Sequence, residues 1–320
     1  MRIAILGATS QIAKNLISYF LKDSKYELFL FARNTKAVHE FIMTIDSLSI
    51  PFIFGFEEFP SGKYDVVINC IGIGDPRKLR EAGVGFFRIT EYFDNLVIDY
   101  LLNNKNTTYI NFSSGAVYGT EFDSGVTEDS IANIAVNKII PADFYRIGKL
   151  NAEVKHRALI DQNIIDLRIF SFFSQFIDLN SGFLLCELVR SVIANTIFHT
   201  NAVEIIRDYI APSDLFTLVE LCLINQKMNC AIDVYSAKVV QKSELIELFK
   251  HEYGLTSVIE DKDCASMTGT KLAYYSSNPA AFSLLSYVPT INSIDTVRSE
   301  VAMLLARSKI STNTNIKKML

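Results

Sequence analysis

Residues that bind metals or form disulfides are scarce in this sequence and show no regular spacing. The five cysteines are odd in number and the four histidines are scattered, so neither type forms a zinc motif or a disulfide framework. We therefore expect reduced thiols, no metal centre and a cytoplasmic protein. The cysteines stand at Cys70, Cys186, Cys222, Cys230 and Cys264.

Long hydrophobic runs and an excess of positive charge are also lacking. The apolar run from Leu215 to Ile224 contains Glu220 and is shorter than the roughly 20 residues of a membrane span, so a buried helix explains it better. The chain opens on a strand-like run rather than a signal peptide. A net charge of -4 does not favour nucleic-acid binding. We therefore expect neither a membrane nor a nucleic acid as partner.

What the sequence does contain is a regular alternation of strand and helix patterns. Apolar strand-like runs recur along the first 170 residues, separated by segments of helical periodicity. This alternation predicts an α/β protein with a doubly wound parallel (Rossmann) sheet. We expect a dinucleotide-binding domain over residues 1–170 and a smaller, partly interleaved substrate domain over residues 171–320. Predicted strands cover residues 2–6, 28–31, 51–54, 65–71, 109–113 and 163–170.

The first predicted strand leads into a glycine-bearing turn and a helix. Gly7 permits the turn, Thr9 or Ser10 can cap the helix, and the free N–H groups of the helix start suit a pyrophosphate. The glycine fingerprint is incomplete, because Ser10 or Gln11 and then Ala13 replace the later glycines. A plain strand–helix turn is the alternative to a nucleotide-binding loop.

The end of the second predicted strand indicates which dinucleotide is bound. An acidic residue there binds the ribose hydroxyls of NAD, whereas an arginine accommodates the 2′-phosphate of NADP. Arg33 occupies this position. We therefore expect NADP(H), with NAD(H) as the alternative. The alternative is that Arg33 is an ordinary exposed arginine with no role in cofactor binding.

Tyr145 and Lys149 stand four residues apart, which places them on one face of a helix. An ammonium beside a phenol stabilises the phenolate, so we expect Lys149 to lower the pKa of Tyr145. Such a tyrosine is suited to exchange protons near neutral pH. A tyrosine that only packs against the core is the alternative.

Four landmarks together resemble the extended short-chain dehydrogenase/reductase family, particularly its nucleotide-sugar members. The similarity runs from residue 1 to about residue 224. The landmarks are the Gly7 loop, Ser113-Ser114-Gly115-Ala116-Val117-Tyr118-Gly119, Tyr145-x-x-x-Lys149-Leu150-x-x-Glu153, and Arg207-Asp208-Tyr209-Ile210 with Asp214-Leu215.

The resemblance implies a role for each matching residue. Tyr145 would be the general acid/base, Lys149 would hold the nicotinamide ribose, and Ser114 would bind the reacting oxygen. Asn95 would be a structural residue near the site. Ser114, Ser171 and Arg207 would contact the substrate, Arg207 through its diphosphate. The cofactor-binding residues would be Gly7, Thr9, Ser10, Gln11, Ile12, Arg33, Asn34, Cys70, Ile71, Gly72, Tyr145, Lys149 and Phe170.

Departures from the family pattern narrow the implied function. The family's 4,6-dehydratases carry an Asp-Glu pair where this chain has Gly115 and Ala116, so dehydration is disfavoured. We expect an NADPH-dependent reductase of a nucleotide-linked keto-sugar, such as a 4-keto-6-deoxyhexose. The alternatives are an NAD-dependent nucleotide-sugar epimerase and a non-catalytic NADP-sensing protein. By analogy, the helices of Asn95 and Tyr145 would pair two copies in a homodimer.

Overall fold

A computed structural model describes residues 1–119, 121–225, 227–260 and 271–319, without the side chains of Pro76 and residues 308–319. Cys264 lies outside the described residues. Of the other cysteines, Cys70, Cys186 and Cys222 are buried and Cys230 is partly buried, and all four are free thiols.

The centre of the molecule is a parallel sheet of seven strands. Their bounds are β1 Arg2–Leu6, β2 Glu27–Phe31, β3 Phe52–Phe54, β4 Val66–Asn69, β5 Thr108–Ser114, β6 Asn163–Ile169 and β9 Asn229–Val234. The order across the sheet is β3-β2-β1-β4-β5-β6-β9, and every neighbouring pair is parallel. The order reverses between β1 and β4, where open α/β sheets bind their ligands beyond the carboxyl ends of the strands. The doubly wound fold predicted from the sequence is confirmed.

Helices cover both faces of this sheet, and most of its strand residues are buried. The bounds are α1 Gln11–Phe20, α2 Thr35–Ile42, α3 Pro76–Ala82, α4 Gly85–Asn103, α5 Phe144–Ala158, α7 Pro212–Ile224 and α9 Ala280–Leu285. One hydrophobic cluster joins the sheet to α1, α2, α7 and α9, and a second joins its other face to α4. Such double coverage is the usual arrangement of parallel sheets.

The remaining elements form a smaller unit with its own hydrophobic cluster. Its elements are α6 Leu184–Ala194, β7 Phe198–Thr200, β8 Ile206–Arg207, β10 Val240–Gln241, α8 Lys242–Tyr253, β11 Ser257–Ile259, β12 Ala273–Tyr274 and α10 Ser293–Met319. Strand β8 lies between β10 and β12, and β7 pairs with β11. These short strands carry Arg207 and Tyr274 to the carboxyl edge of the large sheet, as described below.

The second half of the chain is less regular than the first. Strand β9 returns to the large sheet beside β6. Strand β8 and its partners β10 and β12 are each only two residues long. Helix α10 continues to Met319. The domain boundary at residue 170 stays a prediction.

Candidate functional site

The turn after β1 is built so that only glycine fits at residue 7. Gly7 has a φ of +80°, which L side chains rarely adopt. A Cβ atom there would also lie 2.9 Å from Ile71 Cγ1 and 3.1 Å from the carbonyl carbon of Cys70. The turn therefore brings the backbones after β1 and β4 into direct contact at the point where the strand order reverses.

The residues after Gly7 begin helix α1. Ser10 is the N-cap, since its hydroxyl accepts a hydrogen bond from the Ala13 N–H at 3.2 Å. Thr9 is exposed, and Ile12 packs against the core. Gln11 donates to the Phe172 carbonyl at 3.4 Å, which ties the loop to the chain after β6. Apart from the capped Ala13 N–H, the N–H groups that begin α1 have no partner within the helix, and such groups suit an anion.

Gly72 lies over the ammonium of Lys149. A Cβ atom at residue 72 would lie 3.4 Å from Lys149 Nζ, so glycine leaves space beside the cation. Cys70 is buried just before it, and burial raises the pKa of its thiol, so it is a core residue rather than a nucleophile. Ile71 packs against the core from a partly exposed position.

The end of β2 opens onto a cleft of about 560 Å³. Arg33 is exposed and lines this cleft, and no carboxylate pairs with it among the described residues. Asn34 caps α2, accepting from the Ala37 N–H at 3.0 Å, so its side chain is engaged in the fold. Glu57 and Glu58 line the same cleft. The cleft therefore presents both signs of charge to whatever it binds.

Ser114 is the last residue of β5, and its buried hydroxyl contacts groups from other segments of the site. Its Oγ accepts from the Ala116 N–H at 3.2 Å and lies 3.2 Å from the hydroxyl of Tyr274. The same hydroxyl lowers the pKa of the nearby Tyr145 phenol, against the larger effect of burial. Ser114, expected from the resemblance to bind the reacting oxygen, therefore lies in the surroundings of Tyr145.

The predicted electrostatic relation between Tyr145 and Lys149 differs from the structure. Burial raises the pKa of Tyr145, opposed only by the hydrogen bond with Ser114. Lys149 instead donates to the carbonyl of Phe112 at 2.7 Å. Burial lowers the pKa of Lys149, and the carboxylates of Asp94, Asp166 and Glu153 oppose that shift. The expected lowering of the Tyr145 pKa by Lys149 is therefore not observed in this geometry.

Phe170 follows β6 and fills the space beside Gly115. A Cβ atom at residue 115 would lie 2.5 Å from Phe170 Cε1, so a larger side chain there would displace the ring. Ser171 pairs with Tyr209 in an isolated bridge and is partly exposed. The space that a side chain at residue 115 would need is thus filled by the ring of Phe170.

Arg207 is a buried cation held by backbone carbonyls. Its Nη1 donates at 2.8 Å to the carbonyls of Ile206 and Lys271, and burial lowers its pKa. Lys271 is a second cation beside it, with its Nζ 4.1 Å from the centre of the Tyr274 ring. Burial, followed by the charge of Arg207, lowers the pKa of Lys271 to about 8. Within the described part of the chain, neither cation has a carboxylate partner.

Asn95 is not brought to the cluster around Tyr145. It is exposed on α4, and its Oδ1 accepts from Lys155 at 2.7 Å. The preceding residue, Asp94, points inward instead and is 1% exposed. Asp94 forms an ion pair with His156 at 2.7 Å, so α4 contributes a charge beneath the site rather than an amide within it.

Sequence reasoning missed two residues of the site, Lys271 and Tyr274. Both come from a segment with no recognisable motif, and Tyr274 lies in a two-residue strand. Strand β12 pairs with β8 so that Tyr274 stands opposite Arg207. The one available signal was the adjacent pair Tyr274-Tyr275, two large amphipathic side chains in an otherwise small polar stretch.

The residues at the strand ends fit a bound dinucleotide. Glycines at residues 7 and 72 leave the backbone close to the start of α1 and to Lys149, where an added Cβ would intrude.

In the described residues, no helix has the length and apolar character of a membrane span. No group of three or more potential ligand side chains that could hold a metal is found in that part of the chain.

Comparison with known proteins identifies the family. A comparison with curated protein sequences finds no significant match. The solved UDP-glucose-4-epimerase from Stenotrophomonas maltophila, with bound NAD and formylated UDP-arabinopyranose, is similar with a TM-score of 0.81 and 15% identity, covering 97% of this chain and 99% of that chain. The dTDP-glucose 4,6-dehydratase from Bacillus anthracis, in complex with NAD, is similar with a TM-score of 0.78 and 12% identity, covering 97% and 98%.

At these identities the solved structures show the shared fold. The family match rests on the sequence. The model of the NAD dependent epimerase/dehydratase family matches residues 3–231. This chain therefore belongs to the NAD dependent epimerase/dehydratase family, the extended short-chain dehydrogenases/reductases, and is an NAD(P)-dependent enzyme of that type.

Proposed function

We propose that this enzyme oxidises or reduces a ring carbon of a nucleotide-linked sugar. The convergence of Ser114, Tyr145 and Lys149 at the carboxyl edge of the sheet, next to Gly72, carries the proposal. A hydroxyl, a phenol and an ammonium beside a dinucleotide cleft are the groups needed to exchange a proton with a sugar oxygen. The non-catalytic alternative would require none of these three groups.

In this proposal each side chain has one task. A bound nicotinamide supplies or accepts the hydride. Ser114 orients the reacting oxygen, and Tyr145 exchanges a proton with it through the phenol. Lys149, held by the Phe112 carbonyl, presents its remaining N–H groups beside Gly72, where a ribose would pass. Arg207, with Lys271 next to it, binds the diphosphate of the substrate, because both are cations without carboxylate partners among the described residues.

The leading form of the proposal is reduction of a nucleotide-linked keto-sugar by NADPH. Arg33 supports this form, since it lies at the end of β2 where a 2′-phosphate is recognised and it is exposed. The ring of Phe170 beside Gly115 also disfavours dehydration, because an acidic side chain at residue 115 would collide with it. A 4-keto-6-deoxyhexose remains the expected substrate.

The second candidate is an NAD-dependent epimerase of a nucleotide sugar. Glu57 and Glu58 favour it, since they line the same cleft as Arg33 and would repel a 2′-phosphate. Similar solved structures include the UDP-glucose 4-epimerase from Thermotoga maritima with UDP-glucose, at a TM-score of 0.79 and 13% identity over 96% of this chain and 99% of that chain. An epimerase would consume no net reductant.

The purified protein can be denatured to identify any nicotinamide it releases. Little retained cofactor, tighter binding of NADPH than NADH, and NADPH oxidation by a nucleotide-linked 4-keto-6-deoxyhexose would support the reductase. Stoichiometric NAD and interconversion of UDP-glucose without NADH accumulation would support the epimerase. In either case Tyr145→Phe should lower kcat by roughly 10²- to 10⁴-fold and weaken dinucleotide binding far less. Full activity of Tyr145→Phe would refute the mechanism.

A matched control is Tyr92→Phe, because Tyr92 is an exposed tyrosine on α4. Its kcat should equal that of the wild type.

Pairing of two copies through α4 and α5 is a further part of the proposal, supported by the exposed apolar side chains of Tyr92 on α4 and Val154 on α5. Light scattering after gel filtration should then give twice the mass of the chain.

A further inference from the structure

Three polar side chains stand in register across the apolar centre of the large sheet. Asn69 on β4 lies opposite Asn111 on β5, and Asn111 lies opposite Asp166 on β6. All three are buried, and Asn111 Nδ2 donates to Asp166 Oδ1 at 2.7 Å. Parallel strands covered on both faces are normally apolar, so this polar row requires partners from the helices that pack on it.

A chain of buried hydrogen bonds joins the two ends of this row through helices α4 and α5. Asn69 Nδ2 donates to the Tyr109 hydroxyl at 3.0 Å, and that hydroxyl donates to Asp94 Oδ1 at 3.2 Å. His156 bridges Asp94 and Asp166, with ring nitrogens 2.7 and 2.9 Å from the two carboxylates. Together these side chains form the Asp94 network, whose members are Asn69, Tyr109, Asp94, His156, Asp166 and Asn111.

Both ends of the Asp94 network adjoin backbone that contacts the Lys149 ammonium. At one end the network accepts a hydrogen bond from the Ile71 N–H at 3.0 Å, and Ile71 precedes Gly72, where an added Cβ would lie 3.4 Å from Lys149 Nζ. At the other end Asn111 precedes Phe112, whose carbonyl accepts from Lys149 Nζ at 2.7 Å. The network therefore fixes the two chain segments beside the ammonium.

The Asp94 network also brings negative charge close to Lys149. Burial lowers the pKa of Lys149, and four groups from different elements oppose that shift. They are Asp94 on α4, Asp166 on β6, Glu153 on α5 and Cys70 after β4. Charges interact more strongly in the protein interior than in water, so the two carboxylates of the network favour the charged form of Lys149.

One imidazolium neutralises only part of the charge on these two carboxylates. Although burial opposes it, the hydrogen bonds with Asp166 and Asp94 raise the pKa of His156 to about 9. Lys155 and Arg157 pair with the same carboxylates at 2.6 and 2.8 Å from partly exposed positions. A buried ion pair is often no more stabilising than apolar packing, so stability alone does not explain charges beneath the site.

We propose that the Asp94 network is a positioning element for Lys149, which holds the ammonium beside Gly72 and keeps it charged for the ribose of a bound dinucleotide. This inference rests on the proposed function of Lys149. The members of the network act through Lys149 rather than on the reacting atoms. Loss of a carboxylate should weaken the hold on its proton, and loss of a hydrogen bond should weaken the hold on its position.

Asp94→Asn tests the charge, because it removes a carboxylate at nearly constant size. The full chain is labelled with carbon-13 at the Cε of lysine and titrated by NMR, and Lys149→Arg identifies the Lys149 signal by its loss. The Lys149 midpoint should fall by about one pH unit in Asp94→Asn. The ratio of wild-type to variant affinity for NADPH or NADH, measured calorimetrically, should be near unity at low pH and approach about tenfold above the midpoint.

Asp214→Asn is the matched control, because Asp214 is also a buried aspartate on a helix. Its carboxylate accepts from the Thr290 and Ile291 N–H groups at 2.9 Å and is not among the groups that shift the pKa of Lys149. The Lys149 midpoint in this variant should match the wild type. An unchanged midpoint in Asp94→Asn, or equal shifts in the two variants, overturns the proposal.

Tyr109→Phe tests the positioning, because it breaks the chain between Asn69 and Asp94 without removing a charge. Dinucleotide affinity should fall by about three- to tenfold at every pH, as expected for one lost hydrogen bond. The Lys149 midpoint should stay close to that of the wild type. If Asp94→Asn does not fold, this variant decides the outcome.

Tyr100→Phe is the control for Tyr109→Phe, since Tyr100 is buried on α4 and its hydroxyl accepts from the Tyr64 N–H at 2.9 Å. It should lose similar stability in urea and keep full dinucleotide affinity. Equal losses of affinity in the two variants would assign a purely structural role and overturn the proposal. Absence of turnover with every nucleotide sugar would refute the proposed function alone, because these measurements require no sugar.

Discussion

Two groups of buried charges lie near the proposed site, and their charges are balanced differently. Beneath Lys149, the His156 cluster (Asp94, His156, Arg157 and Asp166) joins each cation to a carboxylate at 2.7 to 2.9 Å. In the Arg207 cluster (Arg207, Lys271 and Tyr274), Arg207 donates to two backbone carbonyls and Lys271 lies over the rings of Phe122 and Tyr274, and neither cation pairs with a carboxylate among the described residues.

The pKa shifts of the two clusters have opposite signs. Although burial opposes the charged form, the hydrogen bonds with Asp166 and Asp94 raise the pKa of His156 to about 9. Burial and the neighbouring Arg207 lower the pKa of Lys271 to about 8. The raised pKa of His156 indicates that its charge is already neutralised by the protein. A cluster whose cations have lowered pKa values is suited to receive an anion, which fits the proposed diphosphate.

Removal of the central imidazolium should produce the largest effect on stability. His156 is fully buried, and His156→Ala would leave Asp94 and Asp166 buried without their shared partner. We expect the free energy of unfolding in urea to fall by about 3–5 kcal/mol. His251→Ala is the control, since His251 is exposed, and it should change stability by less than about 0.5 kcal/mol. Equal effects of the two substitutions would show that the His156 cluster is not a unit.

The pH dependence of stability should report the same imidazolium. Because the pKa of His156 rises from 6.5 to about 9 on folding, its contribution is fully present below pH 6.5 and is lost as pH rises through 9. The loss amounts to at most about 3 kcal/mol. Asp94, Asp166, Lys155, Arg157 and Tyr109 surround the ring. Urea titrations at pH 6, 7.5 and 9 should show this decline in the wild type and a flatter profile in His156→Ala.

Much of the parallel sheet was predictable because four of its seven strands are marked in the chain. Apolar runs end in a glycine, arginine or serine at residues 7, 33, 72 and 114, and the structure ends its strands within a few residues of these positions. The family motif likewise predicted that Ser114, Tyr145 and Lys149 belong to one site. Local patterns suffice here because consecutive strands and helices pack against one another.

The sequence could not predict which way a side chain points or which distant segment of the chain it contacts. Neighbouring residues on a helix differ by about 100° around its axis. Asn95, which the family pattern named, is therefore an exposed amide, whereas the adjacent Asp94 is the buried carboxylate. The i,i+4 spacing predicts a shared face for Tyr145 and Lys149, but not that the ammonium turns to the Phe112 carbonyl. Tyr274 reaches Ser114 only because β12 pairs with β8, across 67 residues that no local pattern connects.

Substitution in the Arg207 cluster should separate binding from stability. Arg207→Met or Lys271→Met should weaken UDP binding by about 10- to 100-fold, since charged hydrogen bonds contribute roughly 1.5–3 kcal/mol. The free energy of unfolding should stay the same or rise, because a buried cation without a carboxylate is replaced by an apolar side chain. Calorimetry with UDP and urea titration of the same samples make the comparison. A large loss of stability would contradict the proposed role of these cations.

The Arg207 cluster also predicts that ligand affinity, rather than folding stability, depends on pH. Lys271 loses its proton as pH rises through about 8, so UDP affinity should decline above pH 8 in the wild type. The decline should be absent in Lys271→Met. Lys22→Met is a suitable control, because Lys22 is exposed and its Nζ lies 5.3 Å from the centre of the Tyr19 ring on α1. A decline that persists in Lys271→Met would indicate that another group titrates.

The smallest expected effect comes from an exposed ion pair whose separation equals that of the buried pairs. Lys78 on α3 and Asp178 after β6 lie 2.8 Å apart, the same distance as Arg157 and Asp166, but their side chains are 58% and 47% exposed. Water and salt screen such a pair, so Lys78→Ala should cost only about 0.2–1 kcal/mol of unfolding free energy. A double-mutant cycle with Asp178→Ala should give a coupling energy in this range that vanishes at 1 M salt. A coupling as large as the His156→Ala loss would show that burial is not what separates these ion pairs.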